Sequence, residues 1–221
     1  ILSGLVGSEM CIRDSRSGAL LIVDEVQAGA GRTGKMWAVE HSGVKPDMLT
    51  FGKGIGSDLP MAGLMMRSDL AAQIPDGSMP NTFAANSLSA VVALTNIAIL
   101  QDPELDLLNR AHVLGLEAQE RIRGFNSPLV GEVRGRGLMI GIELVEDPDT
   151  KEPLSRDKIG QLMGYLMNQG VLMIPCGRYS NVMRVMPSLT ISRALFFKAL
   201  DIFGDALAVS YTHLTLPTIL L

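Results

Sequence analysis

A carboxylate and an amine follow two neighbouring apolar segments near the start of the chain. Asp24 comes directly after residues 20–23, and Lys53 follows residues 48–51 with one glycine between them. We expect both segments to be strands, because a separation of roughly 30 residues is the length of one strand-helix-strand unit. Ligands of open α/β sheets bind at the carboxyl ends of the strands. The sequence therefore predicts that Asp24 and Lys53 are buried together at a ligand site.

These two residue types have the chemistry of a pyridoxal phosphate site. A lysine amine forms a Schiff base with an aldehyde, and a carboxylate keeps a pyridinium nitrogen protonated. Burying a carboxylate without a partner costs on the order of a few kcal/mol, and a pyridinium nitrogen would give Asp24 that partner. Gly52 and Gly54 flank Lys53 and would let a planar ring lie close to the backbone.

Other interpretations of the same residues exist. Asp24 is also compatible with a helix N-cap or with a carboxylate that binds Mg²⁺ in a P-loop nucleotide hydrolase, because residues 21–25 match a Walker B pattern. Residues 29–35 match half of a Walker A pattern, but position 36 is Met where that motif needs a hydroxyl, and the glycine loop follows the acidic strand. Lys53 taken alone is compatible with a lysine that extends from the sheet end into water.

The order of several motifs resembles the class III (ω-amino acid) pyridoxal-phosphate-dependent aminotransferases. The resemblance reaches about Leu207 and leaves out only the two ends of the chain. The matching motifs are, in order, Asp24–Gly34, Trp37–Ala38, Glu40, Gly43–Val44, Pro46–Asp47, Lys53, Pro80–Phe83 with Asn86, Val133–Leu138 and Asn181–Pro187. The sequence departs from the family at residues 85–88, which are Ala-Asn-Ser-Leu in place of Gly-Asn-Pro-Leu.

The resemblance implies a role for each of five residues. Lys53 and Asp24 would be catalytic and would bind the cofactor, pyridoxal 5'-phosphate. Gln27 would contact the ring hydroxyl, although solvation of the loop is an alternative. Thr82 would bind the cofactor phosphate of the partner subunit, with a helix N-cap as the alternative or an additional role. Arg184 would bind a substrate carboxylate, because a guanidinium forms a planar fork, with a structural ion pair as the alternative.

The implied reaction transfers an amino group from an ω-amino acid such as 4-aminobutyrate to a 2-keto acid such as 2-oxoglutarate. Ornithine and diamine transaminases, racemases and mutases share the motifs and remain alternatives, as does a catalytically dead protein of the same fold. The resemblance also implies a homodimer with shared active sites.

The composition bounds the class of protein. Of 221 residues, 47% are hydrophobic and 19% charged, with a net charge of −4, so a sizeable core is expected and a nucleic-acid surface is not. The longest apolar stretch, 90–100, is shorter than the ~20 residues of a membrane span. Histidine spacing suggests no metal site, and Cys176 is the only cysteine outside the first fifteen residues. We expect a soluble, cytoplasmic protein.

The two ends differ from the rest of the chain. Residues 1–15 and 209–221 resemble translated sequencing-adaptor sequence and are predicted to be artefactual tails. Residues 16–101 are predicted to be the remnant of the cofactor-binding large domain, and residues 102–208 a connecting helix and a carboxyl-terminal small domain. The predicted fold class is α/β, a partial fold type I pyridoxal-phosphate transferase large domain with a mainly parallel sheet, plus a smaller α+β domain. The chain is expected to be a fragment.

Periodicity and caps predict the elements within these domains. A buried helix is expected over 86–100, and another helix from the N-cap Asp102 to about Arg123, with Leu105, Leu108, Leu116 and Ile122 facing the core. Ser155 is expected to cap a helix that ends before Gly170. The last helix is predicted over 190–207, capped by Thr190 or Ser192. The remaining predictions are a short helix over 36–41 and strands over 19–23, 48–51, 61–66, 132–134, 138–145, 171–174 and 182–185.

Overall fold

The computed structural model describes residues 17–78, 81–82 and 84–215, with side chains as far as residue 209. Two compact units divide the chain, one ending at Arg110 and the other beginning at Ala111. The predicted tail 1–15 lies outside the described residues.

The first unit is built on a three-stranded sheet in the order β1-β2-β3. Strand β1 is parallel to β2, and β2 is antiparallel to β3, so the described sheet is mixed. The α/β class is confirmed. The strands are β1 Ile22–Asp24, β2 Met48–Gly52 and β3 Ala62–Met66, and the helices are two 3-10 turns, Ala38–Ser42 and Lys53–Ile55, and two α-helices, α1 Ser68–Ala71 and α2 Ser87–Gln101.

The side chain of Asp47 joins all three strands at their shared end. Its Oδ2 accepts a hydrogen bond from the backbone N–H of Leu21 at 2.8 Å, and its Oδ1 accepts one from the Arg67 guanidinium. The backbone N–H of Asp47 donates to the Leu21 carbonyl at 2.9 Å. These bonds fix the register of β1 against β2, although β1 has only 3 residues.

Helix α2 is less buried than its apolar sequence predicts. Leu88, Val91 and Leu94 are 63%, 60% and 68% exposed, so the expectation of a fully buried helix is wrong for the described chain. One side of the helix does make contact, and there Asn96 donates from its amide to the Ile55 carbonyl at 3.1 Å. Periodicity shows that a helix has apolar faces, but it does not show how many of them neighbours cover.

Helix α3 covers Leu107–Arg123 and begins later than predicted. Asp102 accepts the N–H of Glu104 at 2.8 Å and so closes a turn, while Asp106, with φ +43°, interrupts the helical backbone. Of the predicted core positions, Leu105 and Leu116 are exposed, whereas Ile122 is buried as predicted. The buried stripe is Leu107, Ala111, Leu114, Ala118 and Ile122.

The second unit is an antiparallel sheet with helices, which confirms an α+β architecture. Its strand order is β4-β5-β7-β6, and the hydrophobic core lies between one face of this sheet and the helices. The elements are β4 Val130–Arg136, β5 Met139–Leu144, α4 Arg156–Asn168, β6 Ile174–Cys176, β7 Val182–Val185 and α5 Arg193–Thr215. The largest fully buried side chains of this core are Phe203, Ile122, Leu138, Ile140, Ile142, Leu144, Leu162, Leu166, Met183 and Leu207.

The helix ends of this unit follow local chemistry. Helix α4 stops just before Gly170, whose φ of +78° suits glycine. The hydroxyl of Ser192 accepts the N–H of Leu195 at 3.2 Å, so Ser192 caps α5. Helix α5 continues past the predicted end at residue 207 to Thr215, because the first proline after it is Pro217.

Candidate active site

Asp24 is the last residue of β1, at the carboxyl end of the strand. Its Oδ1 accepts two hydrogen bonds, from the backbone N–H of Val26 at 3.0 Å and from the hydroxyl of Thr50 at 3.3 Å. Neither of these donors reaches the second carboxylate oxygen, Oδ2. The carboxylate is therefore held from one side and presents its other oxygen.

Lys53 directly follows β2, the parallel neighbour of β1, in a tight 3-10 turn. Its φ of +44° is unusual for a residue with a side chain and marks local backbone strain. The adjacent Gly52 is buried, and a Cβ there would lie 3.2 Å from the Met61 carbonyl oxygen. A side chain at Gly52 would therefore displace the neighbouring backbone that shapes the turn presenting Lys53.

The predicted burial of this pair is wrong, because both Asp24 and Lys53 are exposed. The apolar runs before them predicted buried strand ends. However, β1 lies at the edge of the described sheet and even Ile22 within it is 59% exposed. Burial depends on which neighbours cover a strand, and the composition of the strand does not supply that information.

The loop after β1 turns tightly around a glycine. Gly29 donates its N–H to the Glu25 carbonyl at 3.0 Å, and a Cβ on Gly29 would lie 2.7 Å from the ring of Trp37. Gln27 lies in this turn, half-buried, three residues after Asp24. Arg32 is also half-buried, and desolvation lowers the pKa of its guanidinium. The hydrogen bond between Gly29 and Glu25 closes the turn around Gln27 and so keeps Gln27 close to Asp24 along the chain.

Glu25 contributes to the site in a way that the sequence analysis did not identify. It is 2% exposed, and its Oε1 accepts the N–H of Val39 at 2.7 Å. Its Oε2 is buried without a hydrogen-bond partner among the described residues. The backbone N–H of Glu25 donates to the Thr50 carbonyl at 2.9 Å, which extends the pairing of β1 and β2 beyond Asp24. Its position directly after an apolar strand was the available signal.

Thr82 lies in a turn before α2 and is exposed. The cap of α2 is Asn86, whose Oδ1 accepts the N–H of Ser89 at 3.0 Å. Thr82 therefore does not cap this helix, and its hydroxyl is accessible at the surface of the first unit. Pro80 and Phe83, which belong to the same motif, lie outside the described residues.

Arg184 belongs to the second unit, on β7, and is half-buried. Its cross-strand neighbours are Gly141 on β5 and Ile174 on β6. Beyond Gly141 in the same row lies Arg134, which forms ion pairs with Glu132 and Glu143. Hydrogen bonding to Glu143 raises the pKa of Arg134, so Arg134 has a structural role in this row.

Gly141 places no side chain beside Arg184, and the position that a Cβ would take there lies 3.2 Å from Cγ1 of Val182. The salt bridges found among the described residues do not include Arg184. Arg184 is half-buried, so part of the residue is accessible from solvent.

The part of the chain that the structure describes contains neither a metal cluster nor a membrane-spanning helix. No group of three or more histidine, cysteine or acidic side chains there is arranged to hold a metal ion. No helix within these residues has the length and apolar character needed to cross a membrane.

Comparisons with known proteins identify the family. The sequence model described as "Aminotransferase class-III" matches residues 9–207. The chain is 36% identical over 190 residues to 4-aminobutyrate aminotransferase GabT of Escherichia coli, covering 85% of this chain and 44% of that protein. It is 38% identical over 193 residues to a leucine/methionine racemase of Thermococcus litoralis, covering 86% of this chain and 42% of that protein.

A solved structure of a Bacillus anthracis aminotransferase superposes with a TM-score of 0.82 at 32% identity, covering 89% of this chain and 46% of that one. The chain belongs to the class III aminotransferase family, whose fold it shares in part. It spans about 44% of the length of the E. coli relative.

The residues present fit the family's cofactor, pyridoxal phosphate. Both donors to the Asp24 carboxylate bind Oδ1. Oδ2 could therefore accept a hydrogen bond from a protonated ring nitrogen. Lys53 offers an exposed amine at the end of the adjacent parallel strand. The position of a Cβ on Gly52 lies 3.2 Å from the Met61 carbonyl oxygen and that on Gly54 lies 3.5 Å from Cβ of Ala30, so both glycines pack against the protein itself.

Proposed function

We propose that the full-length protein containing this chain transfers the amino group of an ω-amino acid, such as 4-aminobutyrate, to a 2-keto acid, such as 2-oxoglutarate. The observation that carries this proposal is the placement of Asp24 and Lys53. They stand at the carboxyl ends of two adjacent parallel strands, in a chain of the class III family. The choice of substrates is supported by the likeness to the E. coli 4-aminobutyrate aminotransferase.

Asp24 and Lys53 have different roles in the proposed reaction. Pyridoxal phosphate, when bound, supplies an electron-poor ring that stabilises negative charge on the substrate carbon. Oδ2 of Asp24 keeps the ring nitrogen protonated, and this proton is what makes the ring electron-poor. Nζ of Lys53 would hold the cofactor and, as a free amine, would move a proton from the substrate carbon. Gln27 orients the ring by contacting its hydroxyl.

Arg184 recognises the carboxylate of the substrate. A guanidinium binds a carboxylate through two parallel hydrogen bonds, and Arg184 is half-buried and belongs to none of the salt bridges found among the described residues. Thr82 binds the cofactor phosphate of a partner subunit, which makes the active enzyme a homodimer with shared sites. Its exposure on a turn outside the helix cap is compatible with donation to another chain.

A second candidate activity follows from the 38% identity to an amino-acid racemase. In racemisation, Lys53 and Asp24 would keep their roles, but the proton would return to the same carbon from the other side. A keto acid would then not be needed. The two reactions therefore differ in their products.

The experiment that tests the proposed function uses the full-length protein with pyridoxal phosphate. Borohydride reduction makes the bond between the cofactor and a lysine permanent, and peptide mapping by mass spectrometry is expected to find the label on Lys53. Lys53→Ala should abolish formation of glutamate from 4-aminobutyrate and 2-oxoglutarate, whereas Lys45→Ala, a change at another exposed lysine of the same unit, should leave it intact.

Label on a different lysine would contradict the assignment of Lys53. Inversion of an amino acid in the absence of any keto acid, without glutamate formation in its presence, would favour the racemase.

A further inference from the structure

Thr50 lies directly opposite Asp24 in the parallel pairing of β1 and β2. Residues paired in this way project from the same face of a sheet. The hydroxyl of Thr50 uses this position to donate to Oδ1 of Asp24 at 3.3 Å. This hydrogen bond joins the middle of β2 to the carboxyl end of β1.

The two hydrogen bonds on Asp24 together fix its orientation. The terminal torsion of an aspartate is broad and roughly two-fold, so an exposed carboxylate with one partner can exchange its two oxygens. The Val26 N–H comes from the loop at 3.0 Å, and the Thr50 hydroxyl comes from the neighbouring strand. Two donors from different elements on the same oxygen hold Oδ1 and direct Oδ2 away from the protein.

Thr50 is itself a rigid anchor. Its carbonyl accepts the Glu25 N–H at 2.9 Å on one side, and its backbone pairs with Leu64 of β3 on the other. A β-branched side chain in a central strand has a restricted χ1. The hydroxyl is therefore held in place before any ligand arrives, whereas Asp24 stands exposed at a strand end.

We propose that Thr50 is a positioning residue for Asp24, and that its hydroxyl holds the carboxylate so that Oδ2 meets the ring nitrogen of pyridoxal phosphate. This inference rests on the proposed function. It predicts that Thr50 contributes to cofactor binding only through the ring nitrogen.

The test measures cofactor affinity rather than catalysis. Full-length protein without cofactor is titrated with pyridoxal phosphate and with an analogue in which a carbon replaces the ring nitrogen. Thr50→Val keeps the shape and removes the hydroxyl, and Thr50→Ser keeps the hydroxyl. Thr50→Ala removes the hydroxyl with less bulk and serves if Thr50→Val does not fold. The dissociation constant is read from cofactor absorbance.

Thr50→Val and Thr50→Ala are expected to weaken pyridoxal phosphate binding by about tenfold, the scale of one hydrogen bond to a charged group. Thr50→Ser should stay within about twofold of the unmodified protein, the scale of a few tenths of a kcal/mol. All four proteins should bind the carbon analogue equally, because it has no nitrogen for Asp24 to meet.

Equal weakening of the cofactor and the analogue would show a general structural role and overturn the proposal, as would unchanged affinity for pyridoxal phosphate in Thr50→Val. Both outcomes would leave the proposed function standing. Failure of the unmodified protein to bind pyridoxal phosphate would overturn the proposed function together with this inference.

Discussion

Arg184 and Arg134 form a matched pair of guanidiniums on one face of the second sheet, separated by Gly141. Arg134 already has two carboxylate partners, while the salt bridges found among the described residues do not include Arg184. The same residue type in the same row thus has two different uses. Only its neighbours distinguish a structural arginine from one that can bind a ligand.

We predict that Arg184→Lys raises the KM for 2-oxoglutarate by about tenfold or more, because an ammonium cannot reproduce the two parallel bonds of a guanidinium. An amine substrate without a carboxylate should lose much less. Arg134→Lys serves as the control and should leave the KM for 2-oxoglutarate within about twofold, since that side chain is occupied by Glu132 and Glu143. Steady-state kinetics with both substrate types decide the matter. Equal losses for the two substrates would mean that Arg184 is structural.

The sequence predicts the chemistry of single residues but not their surroundings. Asp24 and Lys53 could be selected because a carboxylate and an amine at strand ends have few structural uses. Their exposure could not be predicted, because it depends on the strands and helices that lie beside β1. Thr50 went unnoticed because its significance comes from the register between β1 and β2, and a threonine within a strand is otherwise unremarkable.

Among the elements, α3 is tied to the turn between β4 and β5. A Cβ placed on Gly115 of α3 would lie 2.0 Å from the carbonyl oxygen of Gly137. Gly137 itself has φ +52° and forms the turn. The helix and the hairpin therefore approach each other more closely than any side chain at position 115 allows.

We predict that Gly115→Ala lowers the free energy of unfolding by about 2–3 kcal/mol, because the obstacle is backbone and cannot rotate away. Gly160→Ala is the control. It lies inside α4 with open space around its Cβ position, so alanine should stabilise the protein by about 0.5–1 kcal/mol through helix propensity. Urea denaturation of both variants measures the difference. The two variants are expected to change the free energy of unfolding in opposite directions. An unchanged free energy of unfolding in Gly115→Ala would contradict the close approach.

Helix ends were predicted correctly where a local residue signal marks them. The predicted start of α3 was wrong because a turn precedes the helix. Gly170 and Ser192 define the ends of α4 and α5 through a positive φ and a side-chain cap. Asp102 and Pro103 looked like a helix start, but the positive φ of Asp106 separates them from α3. A single left-handed residue of this kind is not visible in hydrophobic periodicity.

On the scale of the whole molecule, exposed apolar side chains occur on both units, and in the first unit three of them lie on one helix. Leu88, Val91 and Leu94 repeat every three residues along α2 and share one face of the helix. The second unit instead encloses most of the buried core. Contiguous exposed apolar surface favours association with other apolar surfaces.

We predict that the 221-residue chain self-associates and that Leu94→Lys reduces this association at equal concentration. Leu195→Lys is the control, because Leu195 is similarly exposed, at 59%, but lies on α5 between Ser192 and Lys198. It should change the association little. Light scattering over a concentration series measures the effect. If Leu94→Lys and Leu195→Lys reduced self-association equally, the apolar face of α2 would be excluded as its cause.

The clamped register of β1 has a consequence for how the chain tolerates changes in length. The strand is held at one end by the bond from Leu21 to Asp47 and at the other by the bond from Glu25 to Thr50. A residue inserted between these clamps would turn the Asp24 side chain to the opposite face of the sheet. A residue inserted beside the exposed Lys35, in the loop outside the clamps, would leave Asp24 where it is. Length variation in the loop is thus uncoupled from the position of Asp24 beside Lys53.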